Sequence, residues 1–362
     1  MVQTTRERID QSLALFLKRI KRDYTMHLVP RILYESIREF VLREGKRLRP
    51  TLLVFSYKGY CPPRHRISPS IHYVSVCIEL LHAFMLVHDD IIDRSDLRRG
   101  KPTMHRLLAR ALKTRDQERL GQDLAIVAGD IIYALAIDAF LSVREDPRRK
   151  EAALKYFIQT AVFTAMGEFI DTVHGIDRTV HIREKDVWLN YTLKTARYTF
   201  DCPLVVGAIL AGAPKKDIKR LSRFGLLMGQ AFQIQDDMIG IFGSERKIGK
   251  SVLSDIAESK KTILVCHAAG HLNGKKRKEF FARFYKSRKT HADLLTFQKI
   301  FLETKSLHYS LREIEKRLVS AKKILAVLSI KPSYLRLIEE TLLKLYQPCR
   351  EIARRHRIDT AI

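Results

Sequence analysis

Two acidic clusters close long apolar runs in this chain: Asp89-Asp90-Ile91-Ile92-Asp93 and Asp236-Asp237-Met238-Ile239-Gly240. On a helix, Asp89 and Asp93 fall one turn apart on one face. Carboxylates so placed repel each other unless a cation sits between them. Magnesium suits the position, because it takes one or two carboxylates together with substrate phosphates and water. Basic residues accompany both clusters. Arg98-Arg99-Gly100 follows the first, and Gly249-Lys250 and Lys260-Lys261-Thr262 follow the second. Gly45-Lys46-Arg47-Leu48-Arg49-Pro50 and Lys194-Thr195 add further cations. Singly, each is ordinary solvated surface. Together they suit a shell around two diphosphates, since Arg offers forked donors and Lys a point charge. A lone Asp-Asp-x-x-Asp is a weak motif; two copies, each ending an apolar run and trailed by cations, are far more specific.

The elements that must carry these residues read as helices. Leu13, Phe16, Leu17 and Ile20 mark one face of a first helix, and Ile32, Leu33, Ile37, Phe40 and Val41 one face of a second. Pro50 stands where a third can begin, and Ser68-Pro69 opens the next. Ile71 to Val87 and Leu226 to Phe242 are apolar almost all round, as befits the centre of a bundle. Further helical stretches cover about 125 to 142, 149 to 173 and 184 to 211. No sustained alternation and no hairpin signal appears.

Composition agrees. Of 362 residues, 46% are hydrophobic, while glycine (16) and proline (11) are too scarce for a turn-rich β protein. Ala125 to Leu141 is apolar but broken by Asp130 and Asp138, which favours a buried helix over a membrane span. The amphipathic stretch Met1 to Arg22 lacks the apolar segment of a signal peptide. Cys61, Cys77, Cys202, Cys266 and Cys349 are scattered without metal-type spacing, which points to free thiols in a reducing, cytoplasmic setting. Lys and Arg total 66 against 40 Asp and Glu, a formal charge of +26 that attracts anions without choosing among them. Lys275 to Lys289 interleaves charge with Phe280, Phe281, Phe284 and Tyr285. Its bland explanation is a solvated helix with an inward apolar stripe; the sharper one is a patch resting on an anionic membrane. No aromatic-basic motif supports nucleic-acid binding.

The chain resembles the trans-isoprenyl diphosphate synthases of the polyprenyl synthetase family. The matching segments are Gly45 to Pro50, Glu79-Leu80-Leu81-His82 through Asp93, Arg98 to Thr103, Gly129-Asp130, Lys194-Thr195-Ala196, and Phe232-Gln233-Ile234-Gln235-Asp236-Asp237 through Thr262. They stand in family order and spacing over roughly residues 40 to 265. The resemblance implies an all-α fold of isoprenoid synthase type. We expect a single domain over 1–362: an antiparallel bundle of ten or more helices around a deep central apolar cavity, with basic C-terminal helices over 271–362. It also implies a homodimer and three magnesium ions per active site. Asp89 and Asp93, supported by Asp90, would bind magnesium on an allylic diphosphate. Asp236, assisted by Asp237 and Asp255, would hold metal on the opposite side. Arg98, Lys194, Lys250 and Lys260 would contact that diphosphate, with Thr195 and Gln233 beside them. Lys46, Arg49, His82 and Arg99 would bind isopentenyl diphosphate.

The chemistry expected is head-to-tail prenyl transfer. Breaking an allylic C–O bond leaves a carbocation and a diphosphate whose charge metals and cations stabilise. Water must be kept away, so the pocket has to be apolar. Phe84 and Met85 lie about one turn before Asp89, in the path of a growing tail. In the resembled family, an aromatic at the first of these positions without a bulky aromatic at the second is the pattern for twenty carbons. Geranylgeranyl diphosphate is therefore the expected product, ahead of farnesyl and longer diphosphates. Gly240 departs from the pattern, standing where many members carry a third aspartate; it alone favours a weakly active or non-catalytic partner subunit. A class I terpene cyclase would share the first motif, but Gln233 to Asp237 and Gly45 to Arg49 speak against it.

Overall fold

A computed structural model describes residues 2–62, 71–176, 183–243, 259–360 and 362. These are helical almost throughout and divide into two compact units. The first comprises Met1–Ile158, Pro203–Ile218 and Ser329–Leu337. The second comprises Gln159–Cys202, Lys219–Leu328 and Ile338–Ile362.

In the first unit, α1 (Val2–Asp23) buries Leu13, Phe16, Leu17 and Ile20, the face its periodicity marks. α2 (Arg31–Val41) buries Ile37, Phe40 and Val41, and also Tyr34, whose hydroxyl donates to the Leu17 carbonyl at 3.2 Å. α3 (Leu48–Tyr60) starts two residues before Pro50, with Arg47 left-handed at its N-cap. α4 (Ile71–Ile92) packs against α1, α3 and α6 (Gln117–Leu141). Both α4 and α6 are long and apolar enough to cross a membrane; 67% of the apolar window in α4 is buried, which makes it a core helix. Ser68 and Pro69 lie outside the described residues.

The structure adds one small element that the sequence did not signal. A hairpin does exist: β1 (Leu97–Arg98) pairs antiparallel with β2 (Lys101–Pro102). Two residues per strand are too few to show alternation. The turn gives the signal instead, because Arg99 and Gly100 both have positive φ, at 54° and 73°, the requirement of the tight turn that matches strand twist. α5 (Met104–Ala111) follows and packs on α6.

α7 (Pro147–Ile176) leads into the second unit. There, α8 (Glu184–Asn190) runs into a π-helical segment, Tyr191–Asp201; α9 (Cys202–Ala211) then belongs, from Pro203 on, to the first unit. The stretch expected to be helical over 184 to 211 is helical throughout, with a π segment in its middle whose wider turn periodicity cannot announce. α10 (Lys215–Phe242) carries the second acidic pair. α11 (Ile263–His271), α12 (Gly274–Phe284), α13 (His291–Glu303) and α14 (Ser306–Leu325) follow; α15 (Pro332–Leu345) and α16 (Gln347–Arg355) end the chain. Phe280, Phe284, Phe297 and Phe301 are buried against one another. The apolar stripe of the Lys275–Lys289 segment thus faces inward, as its bland explanation required.

Candidate active site

The first acidic cluster lies at the C-terminal end of α4. There Arg94, with φ 51°, stops the helix, and the Ser95 amide donates back to the Asp90 carbonyl at 2.9 Å. Carboxylates at this end meet the negative pole of the helix, so they need positive charge nearby. Arg98 supplies part of it: its Nε donates to Asp90 at 2.6 Å and its Nη2 to Asp89 at 2.8 Å. Asp90 is fully buried in this contact, whereas Asp89 and Asp93 are partly exposed. Their carboxylate oxygens lie within 4.8 Å of each other. An all-oxygen donor pair at a site that demands cations fits a hard divalent ion such as magnesium. Asp90 acts behind them, orienting Arg98.

Toward its N-terminus, α4 keeps some side chains partly open. Phe84, Met85 and His88 are half-buried, while Leu80, Leu81 and Val87 are buried. The Phe84 ring meets His88 edge-on at 4.7 Å and Tyr133 of α6 at 4.9 Å.

The Gly45–Pro50 cluster is built around a residue that sequence reasoning passed over. Arg47 is buried; it pairs with Glu79 of α4 at 2.5 Å and Asp10 of α1 at 2.7 Å, and it donates to the Arg43 carbonyl at 2.9 Å. With Arg47 turned inward, Lys46 lies exposed and Arg49 half-buried on either side. The signal was Glu79, a charged residue within the apolar run of α4, which demands a partner. The hairpin turn brings Arg99 to the same place, its Nη1 donating to the Glu44 carbonyl at 2.8 Å. Burial holds His82 well below the ordinary imidazole value, and the guanidiniums of Arg49, Arg99, Arg98 and Arg47 push the same way. A neutral imidazole among arginines is a setting for a polyanion. The structure thus places Arg47, Arg49, Arg98 and Arg99 close enough to His82 to act on its charge, and Lys46 exposed beside Arg47.

In the second unit, Asp236 is exposed on α10 and Asp237 is buried. A relay of hydrogen bonds holds Asp237. Thr195 donates to Gln233 at 2.5 Å, and Gln233 donates to Asp237 at 2.9 Å. The Tyr191 hydroxyl also donates to Asp237, in a short contact, and accepts from the Ile263 amide at 2.9 Å. Tyr191 thereby ties the second acidic motif to the start of α11, just after Lys260. Burial and the Asp237 charge together raise the Tyr191 phenol well above its ordinary value, so it stays a donor. Lys194 is held by Glu168 at 3.0 Å and Asp171 at 2.6 Å, both on α7. Lys194 and Thr195 stand on the π segment, the kind of irregular turn that recurs at functional sites. α7 approaches it closely: a Cβ on Gly167 would lie 2.4 Å from the Lys194 amide nitrogen. Tyr191, Glu168 and Asp171 were not anticipated; each is a polar residue in a helical stretch whose partner is distant in sequence. Lys250 and Asp255 lie outside the described residues.

Comparison with known proteins agrees with this geometry. The polyprenyl synthetase family model matches residues 30–300. A geranylgeranyl diphosphate synthase of Sulfolobus acidocaldarius is 36% identical over 248 residues, 68% of this chain and 69% of that protein. A geranylfarnesyl diphosphate synthase of Aeropyrum pernix is 32% identical over 248 residues, 67% of this chain and 72% of that protein. The crystal structure of a geranylgeranyl pyrophosphate synthetase from Pyrococcus horikoshii superposes with a TM-score of 0.79 at 27% identity, covering 96% of this chain and 97% of that one. With two acidic motifs on helix ends, the cations beside them and a match across most of its length, the chain belongs to the polyprenyl synthetase family and is a trans-prenyltransferase.

Proposed function

We propose that the chain condenses an allylic diphosphate with isopentenyl diphosphate, head to tail and with magnesium, to give geranylgeranyl diphosphate. One observation carries the product length: half-buried Phe84 lies little more than one helical turn before Asp89 on α4, with the non-aromatic Met85 beside it. The relative from Sulfolobus acidocaldarius has the same product in its name. The geranylfarnesyl relative makes a product one isoprene unit longer the second choice.

Asp89 and Asp93 would hold magnesium, and Asp236 of the second motif would hold metal as well. Bound there, three ions in all, it supplies positive charge for the diphosphate that departs. Arg98 is already oriented by Asp90 and adds its own charge to the same leaving group. Lys194 and Lys260 contribute further cations, and Thr195 and Gln233 hydrogen-bonding groups. Lys46, Arg49 and Arg99 grip the second diphosphate as neutral His82 donates to it. Phe84 and Met85 line the tail's path and exclude water from the allylic cation.

We also place a second copy of the chain on α7. Val162, Met166, Phe169 and Val173 form an exposed stripe at helical spacing, with Phe169 71% exposed. Such a stripe marks an interaction surface. Phe169→Glu should convert a dimer to monomer in sedimentation velocity. The outward cationic stretch of α12, Lys275 to Lys278, suits peripheral contact with an anionic membrane, and cysteines outside any disulfide, four of the five buried, suit a cytoplasmic setting.

The reaction is tested by incubating purified protein with magnesium, labelled isopentenyl diphosphate and each allylic primer in turn. Chromatography of the dephosphorylated products should show a twenty-carbon alcohol. No product from any primer would refute the reading and favour the partner-subunit alternative that Gly240 raises.

A further inference from the structure

We propose that His267 and His271 on α11 form a binding site for zinc or a similar first-row transition cation, distinct from the carboxylates that would hold magnesium.

The two histidines are one turn apart, so both stand on one face of the helix. Their rings stack, with centroids 4.0 Å apart and planes inclined at 21°. Tyr309 of α14 also stacks on His267, at 4.3 Å and 22°. The Tyr309 hydroxyl donates in turn to Glu184 of α8 at 2.5 Å. His267 is half-buried and His271 is exposed. The pair is thus anchored at one ring and reachable from solvent at the other.

Counting donors fixes the tautomer of each ring. The Thr304 hydroxyl donates to the Ile300 carbonyl at 2.7 Å, so toward the Ser306 hydroxyl, also 2.7 Å away, it can only accept. The Ser306 hydrogen is thereby committed, and Ser306 must accept from His267 Nδ1 at 3.0 Å. His271 Nδ1 lies 2.8 Å from the His267 carbonyl, which has no hydrogen to give. Both rings therefore carry a proton on Nδ1 and leave the Nε2 lone pair open. Metal-ligating histidines are held in the same way, with the far N–H given to an acceptor that fixes tautomer and ring orientation. Burial, with the neighbouring His271, holds the His267 imidazole below its ordinary value and so neutral, and the Glu184 carboxylate stands near enough to act on its charge.

The donor type chooses the ion. Imidazole nitrogen suits zinc, copper and nickel, whereas magnesium takes oxygen ligands. Two histidines fill two positions, and water completes the shell. An excess of magnesium should therefore not compete for this pair. An ion shared by His267 and His271 would fasten the last turn of α11. The first amide of that helix, Ile263, donates to Tyr191, the residue that holds Asp237.

The test is calorimetric titration of the full chain with zinc in excess magnesium, which occupies the carboxylates, with circular dichroism as the check on folding. Ser306→Ala removes the acceptor that sets the His267 tautomer and should weaken zinc binding by roughly 10- to 100-fold, the usual effect of losing such an outer partner. His267→Gln and His271→Gln each remove a ligand and should weaken it further than Ser306→Ala does. His271 is exposed, so the fold should survive its replacement even where a change at half-buried His267 or buried Ser306 disturbs packing. Zinc affinity equal in wild type and His271→Gln would overturn the proposal, as would zinc binding that excess magnesium abolishes. No arm of the experiment measures prenyl transfer, so the functional reading and this site stand or fall separately.

Discussion

Removing Arg47 should cost the protein both stability and its grip on isopentenyl diphosphate. The Arg47 side chain is 3% exposed and that of Glu79 7%, at an N–O distance of 2.5 Å. Deleting one partner of such a pair strands the other charge in the core, which costs about 3–5 kcal/mol. Arg47→Met keeps the aliphatic bulk and removes the fork, so the loss should fall in that range. With the large slope expected for a chain of this size, the urea midpoint should drop by roughly 1 M or more. Arg47→Met/Glu79→Leu should recover most of that stability, because a buried ion pair can be exchanged for apolar packing at little cost. It should not recover function. Arg47 begins α3 in the left-handed conformation and bonds the Arg43 carbonyl, thereby setting where Lys46 and Arg49 point. The double variant should fold yet show a raised KM for isopentenyl diphosphate and a nearly unchanged KM for the allylic primer. Denaturation by circular dichroism and steady-state kinetics with each substrate varied would decide it. A single variant within about 1 kcal/mol of wild type would refute the argument, as would a double variant with wild-type kinetics.

Other consequences can be checked with the same assays. Asp89→Ala or Asp93→Ala should lower kcat at least about a hundredfold in a protein that still folds, as for loss of a major electrostatic group; near-normal turnover would remove both from the metal site. Lys194→Ala should raise KM for the allylic primer more than for isopentenyl diphosphate, and His82→Ala the reverse; equal effects would undo the division of roles. His82→Gln should flatten the pH dependence of stability. Its folded pKa is depressed, so above about 6.5 both folded and unfolded imidazoles are neutral, and as pH falls below that value only the unfolded chain gains the proton. Wild type should therefore lose stability from about pH 6.5 downward, and urea midpoints that fall equally in both proteins would contradict this. Gly240→Asp adds a carboxylate one turn after Asp236 and should reduce the magnesium needed for half-maximal rate. If wild type is inert and this variant active, the partner-subunit alternative is right.

The fold was legible where burial follows a simple period. Leu13, Phe16, Leu17 and Ile20 repeat at helical spacing and are all buried. The hairpin was not legible, since its information lies in the left-handed Arg99-Gly100 turn rather than in any alternation. Within the site, charge made Lys46, Arg49 and Arg98 visible but could not separate cations that face substrate from one that faces inward. Only the structure shows that Arg47 belongs to the second kind. Tyr191, Glu168 and Asp171 escaped for a related reason. Each gains its role from a partner on another helix, and a hydrogen bond between helices leaves no trace in local spacing.

The π segment has a further consequence, for the angular phase of the chain. Its bonds close one residue later than those of an α-helix, so each turn between Tyr191 and Asp201 takes up more sequence than a regular helix would need. An α-helix rotates by about 100° per residue. Deleting one residue here would let the stretch relax to regular pitch at little local cost. It would also turn Lys194 and Thr195 by about that angle relative to α9. Lys194 would leave Glu168 and Asp171, and Thr195 would leave Gln233. A length change too small to disturb helix content would thus dismantle the hydrogen-bond relay behind Asp237, so this short stretch should tolerate substitution far better than insertion or deletion.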